Sequence, residues 1–284
     1  MKINILYEDI NILAIDKPSG ISVHGDGKTK GKTIVDWILK NYPKIENVGE
    51  PSLYEDKVIK RPGIVHRLDK DTSGVLLLAK NQRTYEFLKA QFSASAIQMA
   101  GGEISEGQNK IKKTYVAIVS GWVREDRGVI NKPIGRSPND FRKHLAGRGA
   151  RGEMREAITE YKVIKRFEAP VYEAPPEVLK NSSRFTRQNP TGSDTDKNFL
   201  KLPAAKFTYL EVKPKTGRTH QIRVHMKFLN HPVVCDSLYN PGKPTPLGID
   251  RLALHAKSIE FKDLKGKTIK VESSLPKEFV KIIK

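Results

Sequence analysis

The feature that most constrains the fold is an unbroken apolar run at residues 75–79, which follows a charged cluster and a short turn. The run is too short for a buried helix, so we predict a strand that is buried on both faces. The turn is Thr72-Ser73-Gly74, and the cluster ahead of it contains His66, Arg67, Asp69, Lys70 and Asp71. Charges at the rim of a buried strand have two interpretations: they form a solvated turn, or they present a carboxylate to a cleft.

Alternating or apolar segments recur along the chain and predict about seven to nine strands. They include residues 11–17, 74–80, 113–120, 156–164, 206–213, 258–262 and 268–272. Helical spacing is rarer. It occurs at residues 33–42, after residue 80, after residue 217 and at the lysine-rich C-terminus. Many short strands with few helices favour an α+β fold with a mixed sheet over a doubly wound parallel sheet.

The whole chain, residues 1–284, is predicted to form a single domain with two inserted loops. Residues 93–111 and 168–203 are polar, rich in Gly, Ser or Pro, and without the periodicity of helices and strands. Such segments lie on the surface of folded domains, so we expect both loops to be exposed.

Charge is the strongest global indication of function. The chain has 51 Lys and Arg against 32 Asp and Glu, a formal net charge of +19, which exceeds what solubility requires and is typical of proteins that bind nucleic acid. Residues 136–166 hold nine basic residues against four acidic ones, with Phe141 among them. A Gly-rich basic loop suits contacts with phosphates. The alternative is a lysine-rich composition that is general to the source organism.

Motifs for cofactors are incomplete. GRGARG at residues 147–152 fits GxGxxG by letter, but no apolar strand precedes it. The position five before Gly31 is Asp26, where a phosphate-binding loop has Gly. His220 and His225 have the wrong spacing for a zinc-binding helix. We therefore predict no metal and no nucleotide cofactor.

The sequence also predicts a cytoplasmic protein. A single cysteine, Cys235, excludes a disulfide framework within the chain and suits a reducing compartment. Glu8 and Asp9 stand where a signal peptide is apolar. No apolar run approaches the roughly 18 residues of a membrane span.

Two polar clusters, HRLDKDTSG and KTGRTHQIRVH, each lie where a strand meets a turn or helix. Asp69 is in the first cluster and Arg223 is in the second. A carboxylate that pairs with an arginine stays ionised and can act as a nucleophile or base. In the alternative interpretation, Asp69 accepts hydrogen bonds from turn amides and Arg223 contacts phosphate.

Five segments, in the same order, resemble the motifs of the RluA-type RNA pseudouridine synthases. The central one is HRLDKDTSGVLLLAK at residues 66–80, and the others are ILAIDKPSGISVH, KKTYVAIVSGW, INKPIGRSP and GRTHQIRVHMKFLNHPVVCDSLY. The resemblance implies a pseudouridine synthase fold, with a mixed, largely antiparallel sheet and a central cleft. It also implies isomerisation of uridine in RNA without a cofactor.

The resemblance assigns roles to four residues. Asp69 is expected to be the catalytic aspartate, which either attacks the ribose or removes a ribose proton. Tyr115 is expected to stack on the uracil, and Arg223 to pair with Asp69. Because a base within structured RNA must be flipped out before it reacts, Arg67 is expected to fill the space that it leaves.

Five further residues are candidates for substrate binding: Lys17, His66, Arg218, His220 and Gln221. Lys17 is expected to shape the edge of the cleft, and a structural hydrogen bond is the alternative for His66 and His220.

The predicted partner is ribosomal RNA or transfer RNA, bound by a monomer without the small RNA-binding domain that many relatives carry ahead of the first motif. The alternative function is a non-catalytic RNA-binding or ribosome-assembly factor on the same fold. A glycosidase that uses Asp69 and Asp71 is disfavoured, because the basic charge balance of the chain suits a polyanion better than a neutral sugar.

Overall fold

The computed structural model describes residues 1–25, 31–54, 57–97, 111–172 and 203–284. Within these residues the strands are β1 Asn4–Glu8, β2 Ile12–Lys17, β3 Ser52–Tyr54, β4 Lys57–Ile59, β5 Ser73–Ala79, β6 Lys112–Ser120, β7 Arg127–Asn131, β8 Ile134–Arg136, β9 His144–Ala146, β10 Arg151–Arg155, β11 Ile158–Tyr172, β12 Ala204–Pro214, β13 Thr245–Pro246, β14 Leu254–Lys262 and β15 Thr268–Glu272. The α-helices are α1 Ile34–Asn41, α2 Gln82–Ile97, α3 Gln221–Phe228 and α4 Lys277–Ile283, and a 3₁₀ helix covers Pro43–Ile45.

One large sheet organises the molecule. Its strand order is β1-β2-β5-β14-β6-β12-β11-β13, with β15 paired to β14 and β7 paired to β11. The pairing of β5 with β14 is parallel, and the other pairings in this sheet are antiparallel. The predicted α+β fold with a mixed, largely antiparallel sheet is therefore confirmed.

Strand β5 is buried on both faces, as its composition predicts. Leu76 and Leu78 pack in the apolar cluster that contains Ile34 and Ile38 of α1. The alternate residues Val75, Leu77 and Ala79 pack in a second cluster with Tyr85 and Leu88 of α2. The two-residue periodicity of a strand explains this division, since successive side chains point to opposite faces.

The parallel pairing fixes the start of β5. Ser73 and Gly74 lie opposite His255 and Ala256. Gly74 has a φ of +111°, and a Cβ atom there would lie 2.2 Å from the backbone oxygen of Ala256. Only glycine fits this approach. The loop that carries Asp69 is therefore anchored directly against the middle of the sheet.

Helices α1 and α3 begin where the sequence predicts. Thr33 Oγ1 accepts a hydrogen bond from the Asp36 N–H at 3.2 Å, and Asp36 Oδ2 accepts one from the Thr33 N–H at 2.7 Å, which confirms the capping box. Helix α3 follows His220, whose φ is +55°. Its Ile222 and Met226 pack in the largest apolar cluster, against β6 and β12.

The structure changes the boundaries of three predicted loops. Residues 93–97 belong to α2 and residues 168–172 belong to β11. The remainder of those two loops, apart from residues 111 and 203, lies outside the described residues. The basic Gly-rich loop that the sequence suggests within residues 136–166 instead contributes to a three-stranded sheet of β8, β9 and β10. Among the described residues, no helix is long and apolar enough to cross a membrane.

Candidate active site

A cleft of about 440 Å³ opens between the two polar clusters that the sequence indicates. Asp69, at the rim of β5, lines it from one side, and Arg223 of α3 lines it from the other. Tyr115 of β6 also lines the cleft. The fold thus brings together three residues that are far apart in sequence, because β5 and β6 lie on either side of β14 and α3 packs against β6 and β12.

Asp69 and Arg223 form an ion pair in this cleft. Arg223 Nη1 donates to Asp69 Oδ2 at 3.2 Å. The arginine side chain is 6% exposed, whereas the carboxylate side chain is 22% exposed. The arginine side chain is therefore buried beneath the ion pair, and the carboxylate of Asp69 remains accessible from the cleft.

A second carboxylate, Asp236, holds the same arginine, and sequence reasoning missed it. Arg223 Nε donates to Asp236 Oδ2 at 2.7 Å, and Nη2 donates to Oδ1 at 2.8 Å. Asp236 Oδ1 also accepts the N–H groups of Leu238 and Tyr239, each at 3.0 Å. This bidentate ion pair fixes the plane of the guanidinium, so that Nη1 is left to donate to Asp69. An acidic residue inside the apolar run of VVCDSLY was the available signal.

The electrostatics of the pair follow from burial and charge. Burial alone would lower the pKa of Arg223, but the hydrogen bonds and charges of Asp236 and Asp69 outweigh it and raise that pKa. The Tyr239 ring lies 5.1 Å from the guanidinium carbon and adds a cation–π contact. Arg223 is therefore a permanent positive charge in the cleft.

Tyr115 comes from the centre of the sheet. It is paired with Val212 on one side and Ala256 on the other, and its half-buried side chain lines the cleft. Burial raises the pKa of its phenol, and the charge of Asp69 raises it further. The phenol therefore stays neutral, so the ring offers a flat, uncharged surface beside the ion pair.

Lys17 lies beneath the cleft edge and is fully buried. Its Nζ donates to the backbone oxygens of Pro18 at 2.8 Å, Ile21 at 2.8 Å and Lys70 at 2.9 Å. All three of its donors are thus occupied within the protein. Lys17 thereby joins the first motif to the loop that carries Asp69, which suits its expected role at the edge of the cleft, and substrate binding by Lys17 stays a prediction.

His66 lines the cleft but has an internal partner. Its Nε2 accepts the Leu77 N–H at 2.9 Å, and its ring stacks on Phe92 with 4.9 Å between centroids. Burial, aided by the charge of Lys113, lowers the pKa of His66 to about 3. The neutral ring is therefore part of the wall, in agreement with the structural alternative.

Gln221 and His220 are also engaged within the protein. Gln221 Oε1 accepts from Thr216 Oγ1 at 2.6 Å, and its Nε2 donates to the Ile158 oxygen at 3.0 Å. Gln221 also lines the cleft, and substrate binding by this residue stays a prediction. His220 Nδ1 lies 2.9 Å from Tyr239 Oη, and burial, partly opposed by Asp69, lowers its pKa.

Two arginines at the mouth of the cleft keep donors available. Arg218 uses its Nε for the Glu156 oxygen at 2.9 Å, and its guanidinium lines the cleft. Arg67 is exposed, and its Nη1 lies 3.2 Å from His24 Nε2. Arg67 and Asp69 also line a second groove of about 610 Å³ on the other side of the ion pair.

A carboxylate held by a buried arginine, at the floor of a cleft with a basic mouth, is an arrangement for chemistry on an anionic substrate. Comparison with known sequences gives the particular class. Residues 11–228 match the family described as RNA pseudouridylate synthase, so the chain belongs to this family. The reaction class of the family is the isomerisation of uridine to pseudouridine in RNA.

Two curated relatives illustrate the similarity. An uncharacterized RNA pseudouridine synthase of Aquifex aeolicus is 35% identical over 84% of this chain and 56% of its own length. The ribosomal large subunit pseudouridine synthase D of Borreliella burgdorferi is 32% identical over 98% of this chain and 67% of its own length. The chain thus spans between about half and two thirds of these relatives.

Solved structures show the same fold. Human RNA pseudouridylate synthase domain containing 1 has a TM-score of 0.62 at 20% identity, over 97% of this chain and 84% of its own. Human RNA pseudouridylate synthase domain containing 4 has a TM-score of 0.60 at 23% identity, over 98% and 90%. The pseudouridine synthase fold implied by the sequence motifs is therefore confirmed.

Proposed function

We propose that this protein isomerises specific uridines to pseudouridine in structured ribosomal RNA, with Asp69 as its reactive group. One observation carries the proposal: in a chain of this family, the Asp69 carboxylate faces a cleft while its Oδ2 accepts a hydrogen bond from Nη1 of the buried Arg223 at 3.2 Å. The ion pair holds the carboxylate in a fixed position at the cleft, as a nucleophile or base requires.

The isomerisation exchanges one bond of the uracil for another. The bond between the ribose and uracil N1 breaks, the uracil turns, and a carbon–carbon bond forms to uracil C5, which loses its proton while N1 gains one. Asp69 serves either by attacking the ribose as the uracil leaves or by removing a ribose proton. Because the reaction has no net oxidation or reduction, it balances without a cofactor, and we propose none.

Tyr115 and Arg67 complete the proposed site. The neutral Tyr115 ring suits stacking on the released uracil, since an aromatic face holds a base without fixing its rotation. The exposed side chain of Arg67, at the mouth beside Asp69, suits the space that a flipped nucleotide leaves. Both groups come from the same chain as Asp69 and Arg223, so the proposed unit is a monomer.

The substrate proposal rests on charge and on the relatives' names. The net charge of +19 suits a polyanion, and the relative in Borreliella burgdorferi is named for the large ribosomal subunit. A ribosomal RNA substrate would place the protein in the cytoplasm. Transfer RNA is the second RNA to test.

The test is to incubate the protein with unmodified ribosomal RNA and transfer RNA and to map pseudouridine in each. We expect new pseudouridine in large-subunit ribosomal RNA with the wild type and none with Asp69→Ala. Absence of pseudouridine in both RNAs with the wild type refutes the proposal. RNA affinity should survive in Asp69→Ala while pseudouridine formation stops. This pair of results separates an enzyme from a factor that only binds RNA, which would form no pseudouridine as the wild type.

A further inference from the structure

A small basic sheet stands at the rim of the cleft. Residues 134–155, here named the basic arm, form strands β8, β9 and β10. The turn between β8 and β9 is closed by backbone hydrogen bonds from Ser137 N to the Lys143 oxygen and from Lys143 N to the Asp140 oxygen, both at 2.9 Å. Arg142 Nε and Nη2 bind Asp140 at 3.0 and 2.9 Å. The turn therefore has a defined conformation.

The basic arm has a surplus of positive charge. It contains six Lys and Arg against two Asp and Glu. The acidic residues form ion pairs with Arg142, Lys143 and Arg155. Within the described part of the chain, Arg136, Arg148 and Arg151 form no ion pair, so the arm presents charge that a polyanion can neutralise.

Phe141 projects from the turn of this arm. It is 87% exposed, the most of any large aromatic residue among the described side chains. An exposed apolar ring does not contribute the free energy that its burial would provide. The closed turn holds the Phe141 ring in this exposed position among basic residues. An exposed aromatic ring on a basic surface is the pattern with which proteins stack unpaired bases.

The arm is connected to the reactive pair. His144, three residues after Phe141, donates its N–H to Tyr239 Oη at 3.0 Å. The Tyr239 ring is the one that lies against Arg223, 5.1 Å from the guanidinium carbon. Three residues of chain span at most about 11 Å. Phe141 is therefore near enough to the cleft to meet RNA whose target uridine lies at Asp69.

We propose that Phe141 is a stacking platform for an unpaired base close to the target uridine, while Arg136 and Arg151, which face each other where β8 enters the turn of Phe141, bind the adjacent phosphates. The inference rests on the proposed function and adds a second contact point to it: the substrate must have a single-stranded or splayed nucleotide beside the modified one. Stacking uses the π-face that every base has, so the contact selects an unpaired nucleotide and not a sequence.

The experiment uses fluorescein-labelled oligouridylate as the probe and measures affinity by anisotropy across a series of salt concentrations. Phe141→Ala should bind roughly 5-fold or more weakly at every salt concentration, since stacking is worth about 1–3 kcal/mol per base. Because phenylalanine is uncharged, the slope of log affinity against log salt should not change. Arg151→Gln should instead reduce that slope by about 0.7.

Two variants serve as controls. Phe141→Trp keeps a stacking ring and should bind like the wild type. In a background where Trp37 and Trp122 are replaced by Phe, Trp at position 141 is the only indole, and the probe should quench its fluorescence on binding. Val129→Ala truncates another exposed apolar residue, 64% exposed on β7, and should leave affinity unchanged. Wild-type affinity in Phe141→Ala, a changed salt slope in that variant, or an unquenched indole would overturn the stacking proposal. Failure of the wild type to form pseudouridine in both ribosomal RNA and transfer RNA would instead refute the proposed function.

Discussion

Replacing Asp236 by Asn should loosen the arginine beneath Asp69. Arg223 donates two hydrogen bonds to Asp236, at 2.7 and 2.8 Å, and their side chains are 6% and 0% exposed. Asn keeps one oxygen but sets an NH₂ group against the guanidinium, so one bond becomes a contact between donors. Removal of one partner from a buried ion pair costs about 3–5 kcal/mol. Because Asp69 still faces Arg223, we expect the lower end, about 3 kcal/mol.

Urea unfolding of the wild type, Asp236→Asn, Arg223→Met and the double variant measures this loss. The double variant should be less destabilised than the sum of the single variants by about 2 kcal/mol or more, because neither charge is then left buried alone. Turnover of Asp236→Asn should fall roughly tenfold or more, since Asp69 loses its fixed partner. Asp250→Asn, at an exposed position, is the matched control. Additive stabilities, or wild-type stability and turnover in Asp236→Asn, would refute this view of Arg223.

Three other substitutions test the surroundings of the site. The pKa of His66 is about 3 in the folded protein, against an ordinary value of 6.5. Between these values the unfolded state binds more protons, so the free energy of unfolding should fall as pH falls from about 6.5 to about 3. His66→Gln should make the slope of unfolding free energy against pH shallower by up to about 1.4 kcal/mol per pH unit, and an unchanged slope would contradict this expectation. Lys17→Met leaves three backbone oxygens without their donor and should lower the unfolding free energy in urea by at least about 2 kcal/mol; a variant of wild-type stability would count against the bracing role. Cys235 has a φ of +56°, so Cys235→Gly should have a midpoint of thermal unfolding above that of Cys235→Ala, by the equivalent of about 1 kcal/mol, and the reverse order would rule out strain at this position.

The sequence was most informative where the local pattern of apolar residues determines both the type of an element and which of its faces is buried. The run at residues 75–79 predicts a strand that is buried on both faces, and β5 has this environment because α1 and α2 cover its opposite sides. The boundaries of β15 were predicted to the residue. These patterns depend on local periodicity, which the sequence states directly.

Sequence patterns failed where contacts with other segments decide the structure. Strands β8, β9 and β10 are too short to show a periodicity, so they look like a loop until they pair with each other. Asp236 looks like a stray charge in an apolar run, and only the fold places it against Arg223. The internal partners of Lys17 and Gln221 include backbone oxygens of Lys70 and Ile158, which no local pattern reveals.

The most direct test of the central claim is the amount of pseudouridine formed in ribosomal RNA by Asp69→Asn beside Asp71→Asn. The two substitutions remove one carboxylate each, two residues apart on the same loop, and neither changes side-chain volume appreciably. We expect Asp71→Asn to form pseudouridine like the wild type, whereas Asp69→Asn should bind the RNA and form none. Pseudouridine formation by Asp69→Asn at the wild-type rate would contradict the central claim.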